Sequence, residues 1–213
     1  MNIPEKHDGR SGPERLRAVL DTSFWTAAWR ADVAANCLDL FEIVVPRAVE
    51  DEIRANDPLF PRGEFPYATL FRHLRDKMLD PPDPEPERLP DLGRGEASAL
   101  ALAQALGVPV LVNEHRARKL AANLGIDTIT VPAVIVALYG LGVISDRAAW
   151  RKLRLIEAIT AAAIVHEAAT ALSALGASIG GRDRPGAVAR STPRGGRAGP
   201  GAGQPDARPV PPR

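Results

Sequence analysis

The chain has one cysteine, Cys37, in 213 residues. That excludes an internal disulfide and any metal site built from several cysteines, and it fits a reducing, cytoplasmic setting. Cys37 sits in an apolar stretch with no histidine near it in sequence. It reads as a small buried residue rather than an activated nucleophile. Histidine is scarce too: His7, His73, His115 and His166 are too scattered to make a zinc site. No uninterrupted apolar run is long enough for a membrane span. The most apolar late stretch, "IEAITAAAIVHEAATALSALG", is broken by Glu157, His166 and Glu167, and reads as a soluble helix. The first residues, "MNIPEKHDGRSGPERLR", lack the apolar core of a signal peptide. There is no internal repeat.

A net charge of +1 conceals an uneven distribution. From Ala177 onward there are seven Arg and two Asp, a local +5, so the preceding residues carry −4. This tail is Gly, Pro, Arg and Ala with almost nothing apolar to bury, so residues 177–213 are expected to be disordered. It can be a linker or add weak, salt-sensitive contact with a polyanion. Residues 1–16 are expected to be a flexible leader, which leaves one domain at 17–176.

Within that domain strands and helices alternate. Arg17 to Leu20 form a first strand ending at Asp21, and Thr22 to about Asn36 a helix. "FEIVVP" is a second strand, with Pro46 suited to the first turn of the helix "RAVEDEIRAN". A long connection over 56–93 holds one amphipathic piece, "YATLFRHLRDKML", and then "DPPDPEPERLPDLG", where repeated Pro forbids regular structure. "GEASALALAQALG" is a helix closed by Gly107, "VPVLVN" a third strand, "HRARKLAANLG" a helix and "IDTITV" a fourth strand. Pro132 opens another helix, and residues from Asp146 to about Leu175 continue helically. This order predicts a three-layer α/β/α sandwich around a parallel sheet of about four strands.

In such sheets functional groups gather beyond the carboxyl ends of strands. That rule picks out Asp21 after strand one and Glu50, Asp51 and Glu52 in the helix after strand two. It adds Glu96 at the start of the helix before strand three, and Asn113 and Glu114 after strand three. Acids converging from separate elements repel one another and so call for a cation; oxygen donors suit Mg²⁺ or Mn²⁺. Each residue also has a structural reading. Asp21, Glu96 and Asn113 can cap or charge helix starts, and the three acids of "VEDEI" can serve the macrodipole.

Four segments, in order, are "AVLDTSFW", "VVPRAVEDEI", "LGRGEASALALA" and "VLVNEHRARKLAANLGIDTI". Together they resemble the PIN domain family over about residues 17 to 145, and in particular the VapC-like toxins of prokaryotes. The resemblance implies a Mg²⁺- or Mn²⁺-dependent ribonuclease, held in check by a cognate antitoxin protein, with homodimerisation a further implication. Carried over by position, it implies catalytic roles for Asp21, Glu52, Glu96 and Asn113, and metal ligation by Asp21, Glu96, Asn113 and Glu114. Ser23 matches the supporting hydroxyl two places after the first acid. The family's fourth acid falls on Asn113, which offers a carbonyl oxygen but no charge. Glu114 is one residue along, although consecutive residues at a strand end tend to face opposite ways. Arg116, Arg118 and Lys119 follow the site and read either as RNA-backbone contacts or as a solvated face. In the 56–93 connection, Phe65, Tyr67, Leu70 and Phe71 suit either a partner surface or a helix packed on the core. Asn113 also leaves open a second reading, a catalytically weak module that binds RNA or a protein.

Overall fold

A computed structural model describes residues 15–55, 65–83, 85–87, 89 and 92–180. Four strands make one parallel sheet in the order β2-β1-β3-β4: β1 (Leu16–Leu20), β2 (Phe41–Val44), β3 (Val110–Leu111) and β4 (Thr128–Ile129). Helices flank it: α1 (Thr22–Arg30), α2 (Ala34–Leu40), α3 (Arg47–Arg54), α4 (Pro66–Leu74), α5 (Arg94–Leu106), α6 (His115–Asn123), α7 (Val131–Gly140), α8 (Asp146–Ile156) and α9 (Ala162–Gly180). The expected α/β/α sandwich is the architecture found.

Burial explains why β1 is central. Ala18, Val19 and Leu20 are fully buried, as a strand covered on both faces requires, and they form a continuous apolar run rather than an alternating one. Leu16 pairs with Phe41 and Val19 with Val44 on one side; Val19 pairs with Val110 and Leu20 with Leu111 on the other. From β1 the chain moves outward to β2, then to a single parallel bridge between Val44 and Leu79. It then crosses back to build β3 and β4 on the opposite side. The direction of winding therefore reverses between β1 and β3. The crevice beyond their carboxyl ends is where an open parallel sheet binds its ligand.

Several boundaries differ from expectation for tertiary reasons. The helix predicted over Thr22 to Asn36 breaks at Ala31–Val33, where Asp32 takes a positive φ of 56°. Buried Lys152 of α8 locks that corner, its Nζ donating to the Ala31 carbonyl (3.3 Å), the Asp32 carbonyl and the Asp32 carboxylate (2.9 Å). Pro46 stands at the N-cap of α3 rather than inside its first turn. The helix predicted from Asp146 onward is interrupted by a 3-10 turn at Glu157–Ile159 before α9 resumes. β1 begins at Leu16, inside the expected leader, and α9 runs to Gly180, past the expected domain end. The rest of the leader and tail, residues 1–14 and 181–213, lie outside the described residues.

α4 is packed on the core. Phe71 is fully buried, its ring edge-on to Trp25 at 5.3 Å, and the Trp25 indole donates to the Tyr67 carbonyl at 2.8 Å. Phe65 stacks on Tyr67, and both, with Leu70, lie half-buried against the core.

Candidate active site

Asp21 leaves β1 at the crevice and is 6% exposed. It is the N-cap of α1: its Oδ2 accepts from the Ser23 backbone N–H at 2.9 Å and from the Ser23 hydroxyl. Capping and a place in the site are thus not alternatives here. Ser23 Oγ also accepts from the backbone N–H groups of Asn113 (3.1 Å) and Glu114 (3.2 Å). One donor and two acceptor positions are all a hydroxyl has, and all three are used to join the end of β1 to the end of β3.

Three consecutive acids of α3 go to different places. Glu50 pairs with Arg54 and Arg75, and Asp51 with Arg94. Glu52 alone reaches the neighbourhood of Asp21. Its carboxylate accepts from the Thr22 hydroxyl (2.8 Å) and from the Gly95 backbone N–H (2.6 Å) in the first turn of α5. The helix N-terminus favours that negative charge. Gly95 is required there, because a Cβ at this position would lie 2.2 Å from Glu52 Oε2.

Glu96 follows on α5, whose N-cap, Gly93, has no side chain to cap with. Glu96 does not take over that role. Its Oε1 is sealed from solvent and has no hydrogen-bond partner among the described residues. Burial pushes its carboxyl above the usual carboxylate range, and the charges of Glu114, Asp21 and Glu52 push it further, with Arg116 opposing. Asp21 is raised as well: burial outweighs its two bonds to Ser23, and Glu52 and Glu114 add to the rise. The charges of Glu52 and Glu114 therefore bear on both Asp21 and Glu96, and Arg116 is the cation that offsets them at Glu96.

Asn113 is 5% exposed and does not cap α6, whose N-cap is Glu114. Its Nδ2 donates to Thr160 Oγ1 at 3.2 Å and lies 3.5 Å from the Ile159 carbonyl. A carbonyl only accepts, so the amide nitrogen must face Ile159 and the amide oxygen must face away. That Oδ1 is buried and has no partner among the described residues. Glu114 is exposed, yet its charge reaches both Asp21 and Glu96. The strand rule of opposite faces does not carry past Leu111, where β3 ends.

The basic residues of α6 separate. Arg116 is beside Glu96, whereas Arg118 lines a different cavity of about 390 Å³ with Thr128, Thr130, Pro132 and Glu167. Lys119 is exposed. Cys37 is buried in α2 and its thiol is pushed up to about 12 by burial, so it is no nucleophile. Sequence reasoning missed Thr22, Gly95 and Thr160. The first two adjoin residues it had singled out, in "DTS" and "RGE". Thr160 had no local signal, because it meets Asn113 across 47 residues of chain.

The site therefore combines a topological switch point, a cluster of carboxylates around Asp21 and Glu96, and two sealed oxygens without a partner among the described residues. A family model described as a PIN domain matches residues 19–168, and the chain belongs to that family. No curated protein matches the chain. PIN domains are generally nucleases, so the scaffold is a nuclease-type fold.

Proposed function

We propose that this PIN domain is a Mg²⁺- or Mn²⁺-dependent endoribonuclease that hydrolyses RNA phosphodiester bonds. We further propose that it is the toxin of a type II toxin–antitoxin pair, cytoplasmic and inhibited by a cognate antitoxin protein, with a homodimer as its assembly. No described helix is long and apolar enough to cross a membrane, in keeping with that setting.

The observation that carries the nuclease reading is the pair of sealed oxygens, Glu96 Oε1 and Asn113 Oδ1, in the crevice with Asp21. Buried acceptors without donors are costly, and so are desolvated carboxylates that face neighbouring acids, as Asp21 and Glu96 do; a cation relieves both. Among the described residues no three His, Cys, Asp or Glu side chains are grouped closely enough to hold an ion. Mg²⁺ fits that restriction, since it is commonly bound by one or two carboxylates and keeps several waters. Asp21, Glu96 and the Asn113 carbonyl are the natural holders, with Glu114 at the rim. Glu52, with both its oxygens hydrogen-bonded, is better suited to orienting outer waters than to direct ligation.

A divalent ion held there would supply charge neutralisation at the phosphate and a water of lowered pKa. The protein's own part is positional. Ser23 fixes Asp21 against the β3 end, Gly95 and Thr22 fix Glu52, and Thr160 with Ile159 turns the Asn113 oxygen inward. Arg116 offsets the acids near Glu96, where a phosphate oxygen would need a cation. The Ser23 hydroxyl has its donor and both acceptor positions engaged, which does not suit it to covalent catalysis.

The test is cleavage of RNA by the full chain with Mn²⁺ or Mg²⁺ against a chelated control. Asp21→Ala should remove cleavage, by about 10²–10⁴-fold as for a group that positions the attacking water. Unchanged cleavage in that variant would sink the site assignment. For the toxin role, induced expression should arrest growth and co-expression of a small adjacent open reading frame should relieve it. The second reading, a catalytically weak module binding RNA or a protein, is favoured by Asn113, whose amide brings no charge. RNA binding without cleavage under both metals would establish it.

A further inference from the structure

Among the described residues five arginines pair with carboxylates. Arg17 pairs with Glu42, Arg47 with Asp83 and Glu85, Arg54 with Glu50, Arg75 with Glu50 and Asp80, and Arg94 with Asp51. Three that do not stand together on α8. Arg147, Arg151 and Arg154 are exposed and line one open groove of about 620 Å³ with Ser145, Ala148 and Leu155. None of the three pairs with a carboxylate among the described residues. Of the acids nearest in sequence, Asp146 is engaged by the Trp150 indole at 3.1 Å, and Glu157 lies in the 3-10 turn beyond the helix without an ion pair to Arg154. At positions i, i+4 and i+7 they share one helix face, spaced by roughly 6 and 4.5 Å along the axis.

This cationic face stands in a chain whose first 176 residues carry −4, so it does not reflect a generally basic surface. It is also tied to the crevice. α8 passes through the 3-10 turn at Glu157–Ile159 directly to Thr160, which holds Asn113. The far side of the helix is anchored by Lys152, buried against the Ala31–Asp32 corner, and Arg30 bonds the Leu155 carbonyl at 2.9 Å. The face is thus fixed on the scaffold that carries the crevice, a site whose own carboxylates repel a polyanion. A strand entering that crevice needs cations next to it that no protein acid has already neutralised.

We infer that Arg147, Arg151 and Arg154 form a binding track for the phosphodiester backbone of single-stranded RNA. The track holds the strand flanking the crevice, so it rests on the nuclease reading above while being measurable apart from cleavage. It is separate from α6, where Arg118 turns toward another cavity. It reads charge and not sequence.

The experiment measures binding of a fluorescein-labelled single-stranded RNA to the full chain in EDTA, by anisotropy across about 50–200 mM salt. A variant with Arg147→Gln, Arg151→Gln and Arg154→Gln should lower the slope of log K against log salt by about 2, at about 0.7 per phosphate contact. A charge-matched control, Arg17→Gln with Arg54→Gln and Lys77→Gln, should keep the slope. The corresponding triple Arg→Lys variant keeps the charges and should keep the slope as well. Equal slopes for wild type and the glutamine variant, equal losses in the control, or a loss in the lysine variant would each overturn the proposal. So would tighter binding of polyglutamate than of RNA of equal charge, which would assign the face to an acidic protein. Circular dichroism checks that the variants fold. Wild type that binds with the α8-dependent slope but never cleaves under Mn²⁺ would sink the nuclease reading and leave the track standing.

Discussion

The two walls of the crevice are built differently. On the β1 side Asp21 is an acid, caps its own helix and is bonded to Ser23 two residues away. On the β3 side Asn113 is neutral, caps nothing, and owes its orientation to Thr160 and Ile159 at the end of α8. The first wall is held by local geometry, the second by a distant turn. Function at a site can rest equally on both, but only the first announces itself along the chain.

The comparison can be broken from either wall. After Asp21→Ala, the largest effect is expected at Gly95. Gly95→Ala places a methyl 2.2 Å from Glu52 Oε2 and must expel that carboxylate from the α5 N-terminus. Cleavage should fall about 10–100-fold, the usual cost of losing a residue that orients metal ligands, while thermal melting stays near wild type; cleavage at the wild-type rate would mean Glu52 is dispensable. Next comes Asn113→Asp, which restores charge to the neutral wall. Mn²⁺ affinity followed by electron paramagnetic resonance should tighten about tenfold, or about 1.4 kcal/mol. The gain is held down because the new carboxylate also faces the Ile159 carbonyl. Unaltered affinity would remove residue 113 from the ligand set.

Thr160→Val tests the same wall more gently. It removes one of two partners of the Asn113 amide, so Mn²⁺ binding should weaken by a few-fold and Thr160→Ser should restore it. Equal weakening in both variants would point to packing rather than orientation. The smallest effect is on stability. The Asp21 carboxyl is raised above 3.8 in the folded protein, so its ionisation opposes folding. That penalty is present in full above the raised value and fades as pH falls toward the unfolded value. Asp21→Asn, without metal, should therefore melt a few degrees higher at neutral pH, with the gap closing under acid conditions. A gap that widens on acidification would contradict the buried-charge account.

How far was this readable in advance? β1, α5 and the Gly107 stop were, because apolar runs and a left-handed glycine after a helix have strong local causes. So was the candidacy of Asp21, Glu96 and Asn113, each placed at a strand or helix end. The break after Arg30 was not, since nothing between Thr22 and Asn36 demands it; the buried ammonium of Lys152 does, from 120 residues away. The apolar segment around Phe71 was readable as a helix, but only packing against Trp25 decided that it lies on the core. Among three adjacent acids, spacing alone could not say that Glu50 and Asp51 would be taken by arginines and Glu52 left for the crevice.

By itself, the sequence determined the alternation of strands and helices, the acidic residues available at strand ends, and the loss of charge at position 113. These follow from residue type and short-range periodicity. Tertiary structure alone decided which oxygens are left without partners, which way the Asn113 amide points, and which arginines remain unpaired. Those properties depend on groups far apart in the chain meeting at fixed distances. A side chain carries its chemistry wherever it goes, but its partners are set only when the sheet has closed and the helices have docked.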